Sequence, residues 1–184
     1  MTSPKEDAGQ KAVVTQPGDR MTAPMGDTRG HGVVTQPGDG IKYWQPVPAN
    51  GFSEAMLPME AIHYQGFSMG YQTIANGGRV RRHSHPAQVE LQICFRGKGS
   101  VYVNGETHPL QSGTSCFLGL DVEHEIFADK GEDLTMLWVI SPGGLENFFE
   151  QIGRKVQDGE GAPDPFDRPE DVYEIERSLG TEAS

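Results

Sequence analysis

Three histidines and one glutamate are spaced so that they can share one ion. Residues 77–97 read GGRVRRHSHPAQVELQICFRG, with His83 and His85 two positions apart. On an extended strand that spacing turns both imidazoles to one face. Glu90 comes five residues after His85, where Pro86 has turned the chain, and starts a strand facing the same interior. A second segment, GTSCFLGLDVEHEIFA over 113–128, supplies His124. Imidazole and carboxylate together suit first-row divalent metals. His83, His85, Glu90 and His124 are therefore the candidate ligands of one divalent transition metal, Fe, Mn, Ni or Zn. Such a set leaves positions open on a six-coordinate ion, which separates a catalytic site from a structural one. Glu90 is then the obvious general base. Strand parity puts Gln92 and Cys94 on its face. Gln92 could hydrogen-bond a ligand or a substrate, and Cys94 is either a soft pocket wall or a small buried hydrophobe. His31, His63 and His108 have no spacing partners and read as ordinary surface histidines. Arg79, Arg81 and Arg82 precede the first ligand and could attract an anionic substrate.

Positioning these groups takes many short strands. Ile41–Val47 reads as an edge strand that tolerates Pro46. Residues 61–66 alternate Ile62 and Tyr64 against His63 and Gln65, and further β-type runs span 68–74, 89–95, 100–104, 114–118, 125–128 and 134–140. Turn signals separate them, among them Asn104-Gly105, the strongest local hairpin pair. Such spacing predicts an all-β antiparallel sandwich or barrel. A helical stripe appears only afterwards, at Leu145, Phe148, Phe149 and Ile152, with Ser141 as its expected cap. A second helix is predicted over 168–179, with Asp167 as N-cap and Glu170 completing a capping box.

The ligand-bearing segments resemble the cupin superfamily. Gly77, His83, His85, Glu90 and Gly97 fall at the intervals of the first cupin motif. Gly113 and His124 keep the register of the second, with Gly119, Asp121 and Ala128 where Pro, Gly and Asn are usual. The tract Ser141–Gly153 is similar to the segment after the barrel in small bacterial cupins, among them quercetinase-like dioxygenases and polyketide-tailoring cupins. The resemblance implies a double-stranded jelly roll, cupin-type, and a metal-dependent enzyme acting on a small molecule. Its first implication is an oxygenase taking a phenolic or enolic substrate, with Glu90 removing the substrate proton. The alternatives are a non-redox cyclase, isomerase or lyase, and a non-catalytic small-molecule binder.

Composition limits the partners. The chain of 184 residues carries 15 Lys and Arg against 26 Asp and Glu, a net charge of −11. That excess argues against nucleic acid, whose binding depends on neutralising phosphates. The two cysteines argue against a disulfide scaffold. The longest apolar run, Met136–Ile140, is too short for a membrane span, and Met1–Gln10 has no apolar signal region, so the cytoplasm is the expected location. Residues 1–40 have the composition of a flexible arm and repeat VVTQPGD at 13–19 and 33–39. Residues 41–141 are the expected barrel, and 142–184 an acidic helical extension. The Ile41–Val47 edge, with Tyr43 and Trp44, suggests a homodimer paired across a two-fold axis. Dilute protease is expected to remove residues 1–40 while 60–140 survives, as read by mass spectrometry of the digest; equal resistance of both would show a packed arm.

Overall fold

The computed structural model describes residues 28–157 and 159–179, and the backbone of 182–183. The first VVTQPGD copy lies outside the described residues; the second forms a turn in which Asp39 accepts from the Gln36 amide at 2.7 Å. In chain order the elements are β1 (Ile41–Trp44), β2 (Phe52–Leu57), α1 (Met59–Ile62), β3 (Ser68–Ile74), β4 (Arg79–Ser84) and β5 (Val89–Arg96). There follow β6 (Gly99–Val103), β7 (Glu106–Leu110), β8 (Ser115–Leu118), β9 (His124–Ala128) and β10 (Leu134–Ser141). The chain closes with α2 (Leu145–Ile152), β11 (Arg154–Lys155), α3 (Val172–Ser178) and β12 (Glu182–Ala183).

Two antiparallel sheets result, in the orders β11-β1-β2-β3-β10-β5-β8 and β12-β4-β9-β6-β7. The period of two explains why they face each other. In β10, Leu134, Met136, Trp138 and Ile140 are all fully buried. In β5, Glu90, Gln92 and Cys94 point inward while Leu91 and Phe95 are exposed. Ile74, Cys94, Val101, Leu110, Ile126, Leu134 and Met136 fill the space between the sheets. Tyr43, Trp138, Ile140 and Phe149 form a second cluster that docks α2. Gly70 lets β2 and β10 close around β3, since a β-carbon there would lie 2.3 Å from the Glu54 carbonyl oxygen and 2.5 Å from the Trp138 ring. Asn104 and Gly105, at φ 46° and 96°, make the expected two-residue hairpin between β6 and β7.

Several local expectations give way to tertiary contacts. Ile41–Val47 is not a free edge: the strand stops at Trp44, and β11 pairs with it through Tyr43–Lys155 and Trp44–Arg154. The basis for a two-fold pairing at β1 is thereby removed. Large exposed apolar side chains instead gather near the other edge of that sheet, at Leu91, Phe95, Phe117 and Leu120. Residues 61–66 are not a strand. Pro58 opens a single helical turn, with the Ile62 amide bonded to its carbonyl, and His63 leaves it at φ 52°. Ser141 does not cap α2, because it is the last residue of β10; the Ser68 hydroxyl accepts from the Gly144 amide instead, at 3.1 Å. The last helix starts at Val172 with Asp171 before it and no side-chain cap. The stretch ahead of it is held extended on the barrel, where the Val47 amide donates to Phe166 and Arg168 Nε donates to the Val47 carbonyl. Among the described residues no helix is long and apolar enough to cross a membrane. Trp138→Ala is expected to cost about 3–5 kcal/mol, measured as the shift in urea unfolding, because it empties a fully buried site that joins α2 to the sheet.

Candidate metal centre

Both sheets contribute to one cluster at the end of the sandwich. His83 on β4 is in register with His124, the first residue of β9. His85 lies just past the end of β4, and its carbonyl accepts from the Asp121 amide, which fixes the turn before His124. Glu90 reaches in from β5 on the opposite sheet. One ligand atom from each of the four lies within 4.8 Å of the others. His85, Glu90 and His124 are almost fully buried. Glu90 Oε2 is 3.4 Å from His124 Nε2 and 3.5 Å from His85 Nε2.

The tautomers follow from the backbone. His83 Nδ1 is 2.8 Å from the Arg81 carbonyl, and His124 Nδ1 is 3.0 Å from the Val122 carbonyl. A carbonyl can only accept, so each Nδ1 carries a proton and each Nε2 is left to the cluster. Gln92 Nε2 donates to Glu90 Oε1 at 2.7 Å, leaving Oε2 to face the imidazoles. Burial, then the neighbouring His124 and His85, hold the His83 imidazole well below its ordinary value despite the opposing Glu90 and Arg81 carbonyl. For Glu90, burial pushes the carboxyl up, but the close imidazoles of His124 and His85 outweigh it and the net shift is downward. The cluster thus sets three imidazole rings around one buried carboxylate. Glu90 Oε2 and His124 Nε2 are buried without a hydrogen-bond partner. That donor set fits a first-row divalent ion, which would supply the missing positive charge.

The other expected residues separate. Gln92 holds the carboxylate rather than lining the open space. Cys94 packs among Ile74, Val101, Leu134 and Met136, with Sγ 3.7 Å from the Gly97 carbonyl, so it does not reach the cleft. His31 and His63 stack edge-to-face on each other at 5.2 Å, and His108 lies on the exposed strand β7. Arg79 and Arg82 both pair with Glu125, at 3.1 and 3.5 Å. Only Arg81 turns to the site. A small cleft opens beside the cluster, lined by His83, His85, Arg81, Leu145, Phe148, Arg168 and Glu176 among others. The last two come from the C-terminal extension, for which the sequence carried no signal beyond an acidic helix. Arg81 was legible from its two-residue step before His83.

Residues 70–140 match the family described as the cupin domain. With two facing antiparallel sheets and the histidine–glutamate cluster, this span is a cupin domain. L-ectoine synthase of Vibrio campbellii is 33% identical over 78 residues, 42% of this chain and 60% of that protein. Polyketide synthase CurC of Streptomyces cyaneus is 28% identical over 87 residues, 47% of this chain and 56% of that protein. The chain thus spans less than two thirds of the length of these curated relatives. The crystal structure of a predicted oxalate decarboxylase from Thermotoga maritima superposes with a TM-score of 0.53 at 24% identity, covering 59% of this chain and 98% of that one. That likeness establishes the fold.

A neutral, partly buried His83 makes stability depend on pH. Its lowered value means the unfolded chain takes up the proton first, so its contribution is complete above about 6.5 and declines as pH falls below it. The lowered Glu90 acts in the same direction at more acid pH. The urea midpoint of metal-stripped protein is expected to be level from pH 9 to about 7 and to fall between about 6.5 and 5. In His83→Asn that slope should flatten.

Proposed function

We propose that the chain is a metal-dependent enzyme for a small molecule, using a single divalent ion on His83, His85, Glu90 and His124 for non-redox bond making or breaking. The observation carrying this reading is the convergence of four ligand atoms within 4.8 Å at the side of an open cleft. When bound, the ion would act as a Lewis acid on a carbonyl or hydroxyl oxygen. The chain's own residues do the rest. The carbonyls of Arg81 and Val122 orient the two rings, Gln92 orients Glu90, and Leu145 and Phe148 give the cleft an apolar wall that limits water. Glu90 is the carboxylate assigned the role of base, with Oε1 held by Gln92 and Oε2 facing the cluster. Two curated relatives carry the names of synthases, which favours the non-redox reading, as cyclase, isomerase or lyase, over the oxygenase. The expected homodimer, as a proposal, moves from β1 to the exposed Leu91, Phe95 and Phe117 face.

Elemental analysis of the purified protein, paired with oxygen uptake against a panel of phenols and enols, tests this reading. One metal per chain and no oxygen consumed are expected; stoichiometric uptake would establish the oxygenase instead. His83→Ala and His124→Ala should abolish metal binding, and full metal in both would overturn the ligand assignment. Gln92→Ala should weaken metal affinity about 10–100-fold. Glu90→Gln separates the two roles of the carboxylate. Turnover lost by about 10²–10⁴-fold at full metal content marks a base, whereas loss of metal marks a ligand.

A further inference from the structure

Two guanidinium groups meet one carboxylate at the mouth of the cleft. Glu176 Oε1 accepts from Arg81 and from Arg168 Nη1, the latter at 3.2 Å, and the glutamate is 3% exposed. The match is incomplete: Glu176 Oε2 and Arg81 Nε are both buried without a hydrogen-bond partner. Two cations around one anion leave a positive charge, beside a cleft that also contains His83 and His85. Burial and then the Arg81 charge pull Arg168 down to about 10, so it remains cationic at neutral pH. The three residues differ in how they are held. Arg81 is on β4, inside a sheet. Arg168 is tied to the barrel by its own bond to the Val47 carbonyl, at 3.2 Å, next to the Val47–Phe166 backbone bond. Glu176 is on α3, a seven-residue helix that buries only Val172 and Glu176. The anion and the two cations are thus carried on different parts of the fold.

We propose that Arg81 and Arg168 form a carboxylate-binding subsite beside the histidine–glutamate cluster, which Glu176 occupies in the free protein, and that the small molecule taken by the cleft carries a carboxylate which replaces it. A planar carboxylate binding both prongs of Arg81 would satisfy the nitrogen that Glu176 leaves unpaired. This names the substrate class for the enzyme proposed above and rests on that reading of the cleft.

The test is calorimetric titration of the full-length, metal-stripped protein with succinate, and with uncharged succinamide as control, at neutral pH. Glu176→Gln should bind succinate about tenfold or more tightly than wild type, because it removes an intramolecular competitor of millimolar or higher effective concentration. Adding Arg81→Gln or Arg168→Gln should abolish the gain, and succinamide should bind to none. Unchanged succinate affinity in Glu176→Gln, or equal binding of succinamide, overturns the proposal. Inorganic phosphate binding in preference to succinate would overturn the carboxylate assignment. Wild-type protein supplies an independent arm: succinate should accelerate chymotrypsin cleavage after Tyr173 severalfold, and no acceleration refutes displacement of Glu176. Metal content measured on the same preparations separates the two ideas, since succinate binding can persist without metal binding and the reverse.

Discussion

An ionised carboxylate between two sheets is expensive unless its charge is matched, and that requirement organises this molecule. Glu90 is 2% exposed and lies opposite β4 and β9, whose rings approach it without surrounding it by hydrogen bonds. Charge buried in this way must be compensated by partners in a fixed geometry. The neighbouring structure provides that geometry. Gln92 takes one carboxylate oxygen, and two backbone carbonyls, each two residues before its histidine, take the Nδ1 protons. Ligand atoms of three rings and one carboxylate then converge within 4.8 Å of one another.

The same constraint accounts for the division of labour in the sandwich. Apolar residues fill its centre, where Cys94 behaves as one of them, and the polar cluster is confined to the end near α2. β5 carries both kinds of residue on its inner face, Glu90 and Gln92 toward the cluster and Cys94 toward the core. A single strand therefore spans both environments, and the register of β5 against β10 fixes where one becomes the other. A slip of one residue would turn the whole set outward.

The C-terminal extension completes the architecture from outside the cupin domain. β11 covers the edge of β1, β12 extends the sheet beside β4, and α3 brings Glu176 to the cleft. What reads as an acidic, solvated tail in composition has one carboxylate nearly as buried as Glu90. Its charge is held by Arg81 and Arg168 rather than by solvent.

Residue type and short-range spacing were sufficient for the four cluster residues. His83 and His85 stand two positions apart at the end of β4, Glu90 and Gln92 share a face of the next strand by parity, and Asn104-Gly105 marks its hairpin because few residue pairs accept positive φ. These features depend on local backbone geometry, which the sequence encodes directly. Contacts between residues far apart in the chain decided the rest. The apparent edge at Ile41 is closed by Arg154 and Lys155, more than a hundred positions later. The predicted start of the last helix is overridden by bonds from 166–168 to Val47. Glu176 became a residue of the cleft only because α3 packs against α2 and β12. No periodicity records such contacts, since their free energy comes from surfaces that exist only once the barrel has closed.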